Sequence, residues 1–197
     1  MSSTIATPIN SQAAALGRKP ERYSSSGIWV GVFAITMSFA AFTSALFVRE
    51  GTADWVHLAL PSILYVNTVL LLASSGTLEI ARHSLSEAEG TRKASGWVLI
   101  TLLLGLAFCV GQYRAWLELR AQGIYLATNP NSSFFYVLTF LHVLHVCVGI
   151  LALVYLAGRL VASHITFRRS LFLNTAVYWH FMGVLWLYLL LLCRMKL

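Results

Sequence analysis

The sequence predicts an all-α fold, a polytopic membrane protein built as a bundle of five transmembrane helices. Three observations carry this. The 197 residues are 58% hydrophobic and only 11% charged, against about half and a quarter in an ordinary soluble domain. Five apolar stretches reach the roughly 17–25 residues a helix needs to cross a bilayer. Six tryptophans and eight tyrosines fit two interfacial aromatic belts. The net charge of +7 sits beside those apolar stretches. It therefore points to anionic lipid headgroups rather than to nucleic acid.

Residues 1–26, rich in Ser, Ala and Thr, with Arg18, Lys19 and Arg22 shortly before the first apolar run, are too polar for a signal sequence. They are expected to form a disordered cytoplasmic leader before a five-helix domain over 27–197. The first helix is expected over about 27–48, closed by Arg49, Glu50 and Gly51. The second is expected over about 58–80, with Pro61 in a tolerated first-turn position. The third covers about 96–113, with an interfacial extension toward Leu119. The fourth, about 134–157, follows the helix-capping stretch "NPNSS" at 129–133. The fifth covers about 171–193.

With the N-terminus inside, nine Lys and Arg fall on the cytoplasmic side and five on the other. The positive-inside rule thus favours a cytoplasmic N-terminus and an outside C-terminus. No helix has proline in its interior, none carries serial arginines, and the loops are short. This speaks against a transporter, a voltage sensor or an extramembrane catalytic domain. Cys109, Cys147 and Cys193 have no metal-ligand spacing and read as small core residues.

Polar residues inside apolar helices are the default candidates for function. Here they are Asn67, Glu79, Gln112, His142, His145, Asn174 and His180. His142 and His145 lie about 60° apart on one helical face, which Gly149 continues one turn on. A glycine there admits a close neighbour whose groups would satisfy the imidazoles. Three readings stay open: a structural pair, a proton or lipid site, and haem or metal ligation, which needs further ligands. A structural pair leads.

Glu79, Arg82 and His83 form an i, i+3, i+4 group at the cytoplasmic end of the second helix. It reads as an interfacial ion pair or as a headgroup or protein contact. Asn67, Thr68, Ser74, Ser75 and Thr77 make a polar stripe suited to interhelical hydrogen bonds. In "YWHFMGVLW", Trp179 and Trp186 are expected to anchor the last helix at the cytoplasmic interface, around His180. No nucleophile–base set, phosphate loop or carboxylate pair is visible.

Four blocks in order, "GIWVGVFAITMSFAAFTSALFVR", "LPSILYVNTVLLLASSGTLEIAR", "SSFFYVLTFLHVLHVCVGILAL" and "YWHFMGVLWLYLLLL", resemble subunit III of the bacterial haem-copper cytochrome c oxidases, in its short five-helix form. Phe134, Phe135, His142, His145 and Gly149 fall on that family's Phe-Phe, His-x-x-His and Gly positions. The chain departs from many relatives at Met37 and Gly183, where they carry a glutamate and an aspartate. Roles ascribed to those acids are not carried over.

The resemblance implies a subunit without a catalytic, cofactor or metal site of its own. Haem and copper are expected in partner subunits I and II, and phospholipids in a cleft of this one. Subunit I is then the main contact, with subunit II, small subunits, a respiratory supercomplex and membrane lipids as further partners. Location in the bacterial plasma membrane and support of proton uptake follow from the same resemblance. Two alternatives stand beside it: subunit III of a quinol oxidase, and a haem b-binding dehydrogenase anchor using His142, His145 or His180.

Overall fold

A computed structural model describes residues 26–50, 60–85, 90–162 and 169–196. Residues 1–25 of the expected leader and positions 51–59, 86–89, 163–168 and 197 lie outside the described residues, and so do positions 58–59 of the expected second helix, while Ser26 already belongs to the first helix. Among the described residues five helices follow one another: α1 Ser26–Glu50, α2 Ile63–Ser84, α3 Gly90–Ala121, α4 Pro130–Val161 and α5 Arg169–Lys196. All five are long and apolar enough to cross a membrane.

α3 and α4 are longer than their apolar cores, at 32 residues each. α3 continues at both ends through polar turns that place Arg114 and Arg120 beyond the apolar stretch. α4 starts inside the "NPNSS" stretch, because Asn129 itself is the N-cap and Pro130 occupies the first turn. The Asn129 side chain accepts from the Ser132 amide, and Ser132 Oγ accepts from the Asn129 amide at 3.1 Å. Ser132 also donates to the Tyr125 carbonyl at 2.9 Å, which pins the preceding loop.

α2, α3, α4 and α5 close into a four-helix ring: α2 packs on α3, α3 on α4, α4 on α5, and α5 back on α2. α1 stands outside this ring and, among the described residues, packs on α4 and α5. Its seam is Phe39, Thr43 and Leu46, three positions one turn apart and all buried. Tyr188 of α5 donates to Thr43 Oγ1 at 2.9 Å and Lys196 sits over the Phe47 ring at 5.0 Å. Ile28, Gly31, Val32 and Ile35 are half-buried, and most of the other α1 residues, including Met37, are exposed. In a bilayer that face meets lipid or another subunit.

Lipid tails are as apolar as leucine, so the helices are held by close packing and hydrogen bonds rather than by exclusion of water. The core shows both. Its largest fully buried side chains include Trp179, Trp186, Phe39, Phe108 and Phe135.

Candidate functional site: the polar and aromatic core

Trp179 is the residue on which four helices meet. It lies on α5, is 1% exposed, and its indole passes between two glycines. A Cβ built on Gly105 of α3 would come within 2.7 Å of its Cη2. One built on Gly149 of α4 would come within 3.0 Å of its Cε3. At the edge of the ring, Nε1 donates to Ser74 Oγ of α2 at 3.0 Å, while Ser74 donates onward to the Leu71 carbonyl at 2.7 Å. Each contact fits a general rule: small residues admit a large ring, and the ring's single donor finds an acceptor.

Trp186, two turns further along α5, repeats the arrangement. Its Nε1 donates to Thr68 Oγ1 at 3.0 Å. Its ring meets Phe108 edge-on with centroids 4.9 Å apart. The expectation that Trp179 and Trp186 anchor the helix at the interface is therefore corrected. Both are core residues, because α2 presents hydroxyls at the depths where their N–H groups arrive. The α2 stripe also reaches α3, through Thr77 and Thr101 at 2.8 Å. Deeper in the same interface Asn67 Nδ2 donates to Gln112 Oε1 at 3.4 Å, and the Asn67 amide fills the space beside Gly111.

His142 and His145 part company. His142 is fully buried, with Phe108 edge-on at 5.8 Å and the Trp186 ring tilted at 5.2 Å. Neither of its nitrogens has a hydrogen-bond partner among the described residues. His145 Nδ1 pairs with the Leu141 carbonyl of its own helix at 2.7 Å, and its ring meets Phe39 of α1 at 5.9 Å. The expectation that a neighbouring helix would satisfy both imidazoles is corrected as well. What reaches them from other helices is aromatic rings. Gly149 does admit a close neighbour, the Trp179–Tyr178 pair, and Tyr178 donates to the His145 carbonyl at 2.9 Å.

Because the ring of His142 is packed but not hydrogen-bonded, its replacement by an apolar residue of similar size removes an unmet polar cost. His142→Leu is expected to change bundle stability by less than about 1 kcal/mol. Denaturant titration in detergent measures it. A loss of several kcal/mol would mean that the imidazole makes a bond this geometry lacks.

Glu79 collects three basic groups. It pairs with Arg82, whose Nε donates to Oε1 at 2.9 Å, and with His83 Nε2 at 3.2 Å. Across the interface, His180 Nε2 of α5 lies 3.8 Å from Oε2. His180 thus belongs to this cluster rather than to the histidine pair on α4, a link sequence spacing could not reveal. The Glu79 side chain is 37% exposed, so the cluster is a partly exposed clamp between α2 and α5. Glu79→Gln is expected to lower the unfolding free energy by no more than about 1 kcal/mol, as for other exposed ion pairs. A thermal-shift comparison at low and high salt checks this, with the difference shrinking as salt rises.

Of the three cysteines only Cys193 is buried; Cys109 is half-buried and Cys147 exposed. Cys147 is thus not a core residue, since it faces outward on α4. Trp116 and Thr139 form a further link that the sequence reading missed, a 3.1 Å bond joining α3 to α4. Its signal was faint: one indole and one hydroxyl at matching depths of adjacent helices. Among the described residues no three His, Cys, Asp or Glu converge on a point that could hold a metal ion.

The sequence profile of cytochrome c oxidase subunit III matches residues 26–195, from the first helix to the last. The chain belongs to that family. It is 29% identical to a probable cytochrome c oxidase subunit 3 of Mycobacterium leprae over 192 residues, 93% of this chain and 92% of the relative. A probable subunit 3 of Nocardia farcinica is 30% identical over 81% of this chain and 76% of its own. The subunit 3 of Corynebacterium diphtheriae is 31% identical over 70% and 68%. The subunit III match spans all five helices, so the aromatic and polar core described above is the interior of a subunit III fold.

Proposed function

We propose that this chain is the non-catalytic subunit III of an aerobic haem-copper oxidase, a complex that oxidises cytochrome c, reduces oxygen to water and moves protons across a bacterial plasma membrane. In that role it packs against subunit I, contacts subunit II and small subunits within a larger respiratory assembly, holds phospholipid and sustains proton uptake. Its N-terminus is cytoplasmic and its C-terminus outside, by the count of basic residues on the two sides. The observation that carries the reading is the subunit III match over all five helices, together with relatives whose names specify cytochrome c rather than quinol.

The core is in keeping with a structural role. Its aromatic N–H donors end on hydroxyls of neighbouring helices, and its three membrane histidines face different surroundings. A haem b anchor would need imidazoles from two helices turned toward one haem. His142 is instead enclosed by Phe108 and Trp186, and His180 is turned to Glu79.

The test is endurance. Oxidase assembled with and without this chain is followed through repeated turnover at saturating oxygen and cytochrome c. The proposal expects similar initial rates and a faster loss of activity without the chain. Equal decay would contradict it.

A further inference from the structure

A second feature lies away from the core, at the end of the bundle where α3 stops and α4 begins. A groove of about 600 Å3 runs between these helices, lined by Tyr113, Trp116, Leu117 and Arg120 of α3, by 125–127 of the connecting loop, and by Tyr136, Val137 and Phe140 of α4. That volume is in the range of small-ligand pockets.

In the floor of the groove, two of the polar groups are already partnered. The Trp116 indole N–H is spent on Thr139 and the Tyr136 hydroxyl on the Ile124 carbonyl at 2.9 Å, so both present apolar faces. The loop above is fixed by that same Tyr136 bond, by Ser132 on the Tyr125 carbonyl and by Ser133 on the Leu126 carbonyl. Its tight turn passes through Gly123 at φ 78°, a conformation that suits glycine. α3 and α4 touch directly beneath, so the groove is a furrow for one extended chain and not a gap for a third helix, which is about 10 Å across. At its rim Arg120 is exposed and makes no ion pair among the described residues. Long apolar residues such as Leu117, Val137 and Phe140 stand exposed along the walls.

An apolar furrow with an arginine at its rim that makes no ion pair among the described residues is complementary to an anionic amphiphile. We propose that it holds one acidic phospholipid of the adjacent leaflet, its phosphate on Arg120 and an acyl chain along Leu117, Val137 and Phe140. The proposal deepens the lipid-binding part of the function read above by giving a lipid a place and a headgroup charge.

The test uses the protein with whatever subunits accompany it, purified in mild detergent and mixed with equal amounts of phosphatidylglycerol and phosphatidylcholine. Native mass spectrometry is expected to show one phosphatidylglycerol retained in preference. Arg120→Gln should lower that preference about fivefold, the worth of one basic residue at an anionic surface, while Arg120→Lys keeps most of it. Equal retention of the two lipids, or a preference untouched by Arg120→Gln, would overturn the site. A photoreactive phenylalanine placed at Val137 in native membranes gives the independent check. A lipid adduct supports the proposal, and a polypeptide adduct overturns it by showing that a partner covers the groove. Absence of haem-containing subunits from the purified material counts against the oxidase reading and leaves the lipid result to stand by itself.

Discussion

Trp179→Ala is expected to destabilise the bundle by about 3 kcal/mol, the lower end of what loss of a buried tryptophan costs in a water-soluble core. The lower end applies because the surroundings are lipid, so the transfer of apolar surface contributes less and lost packing contributes most. The side chain leaves a hollow walled by Gly105, Gly149 and Ser74, one each on α3, α4 and α2. Two of those walls are glycines without side chains to collapse inward, which makes the hollow hard to close. Trp179→Phe separates ring from donor. It keeps much of the packing and loses the bond to Ser74, an expected cost of about 0.6 to 2 kcal/mol. Unfolding in mixed detergent micelles, followed by circular dichroism, measures both. A Trp179→Ala protein as stable as the parent would show that the four helices do not depend on this contact.

Gly105→Val is the second large effect, and it works from the other side of the same ring. An added Cβ alone would sit 2.7 Å from Trp179 Cη2, inside any real carbon–carbon contact. Overpacking costs about 1 to 3 kcal/mol where neighbours have some freedom to shift. Here the ring has little, since Gly149 abuts it on the far side and Ser74 holds its nitrogen. The upper end, about 3 kcal/mol, is therefore expected. The two predictions are coupled. In a Trp179→Ala background the clash partner is gone, so Gly105→Val should cost about 2 kcal/mol less than it does alone. Strictly additive costs would mean that the valine acts through something other than the indole.

The five helices were legible because each combines bilayer length with few charges, a signal that needs no knowledge of neighbours. The ends were less so. α4 begins at Pro130 because Asn129 caps it, whereas hydropathy alone starts at Phe134. The polar stripe on α2 was visible as a row of hydroxyls, and three of them do bridge to other helices. Their partners were not visible. Whether a tryptophan sits in a belt or a core depends on which residue of the adjacent helix lies at the same depth, and that is set by helix stagger. The same applies to Gly105, an ordinary glycine until Trp179 is placed against it. His180 was grouped with His142 and His145 by residue type, but its neighbour is Glu79, a hundred residues away in the chain and one interface away in space. The His-x-x-His spacing marked the right helix and said little about what either ring touches.

The central claim is that this chain is an accessory subunit whose polar core holds helices together inside a larger oxidase. The most direct measurement is a mild-detergent pull-down of the chain, with reduced-minus-oxidised spectra recorded before and after it is stripped from its partners. The account predicts that haem-containing subunits come down with the chain and that the whole haem signal stays with them after stripping. A haem band that travels with this chain, and disappears on changing His142, His145 or His180, would contradict it.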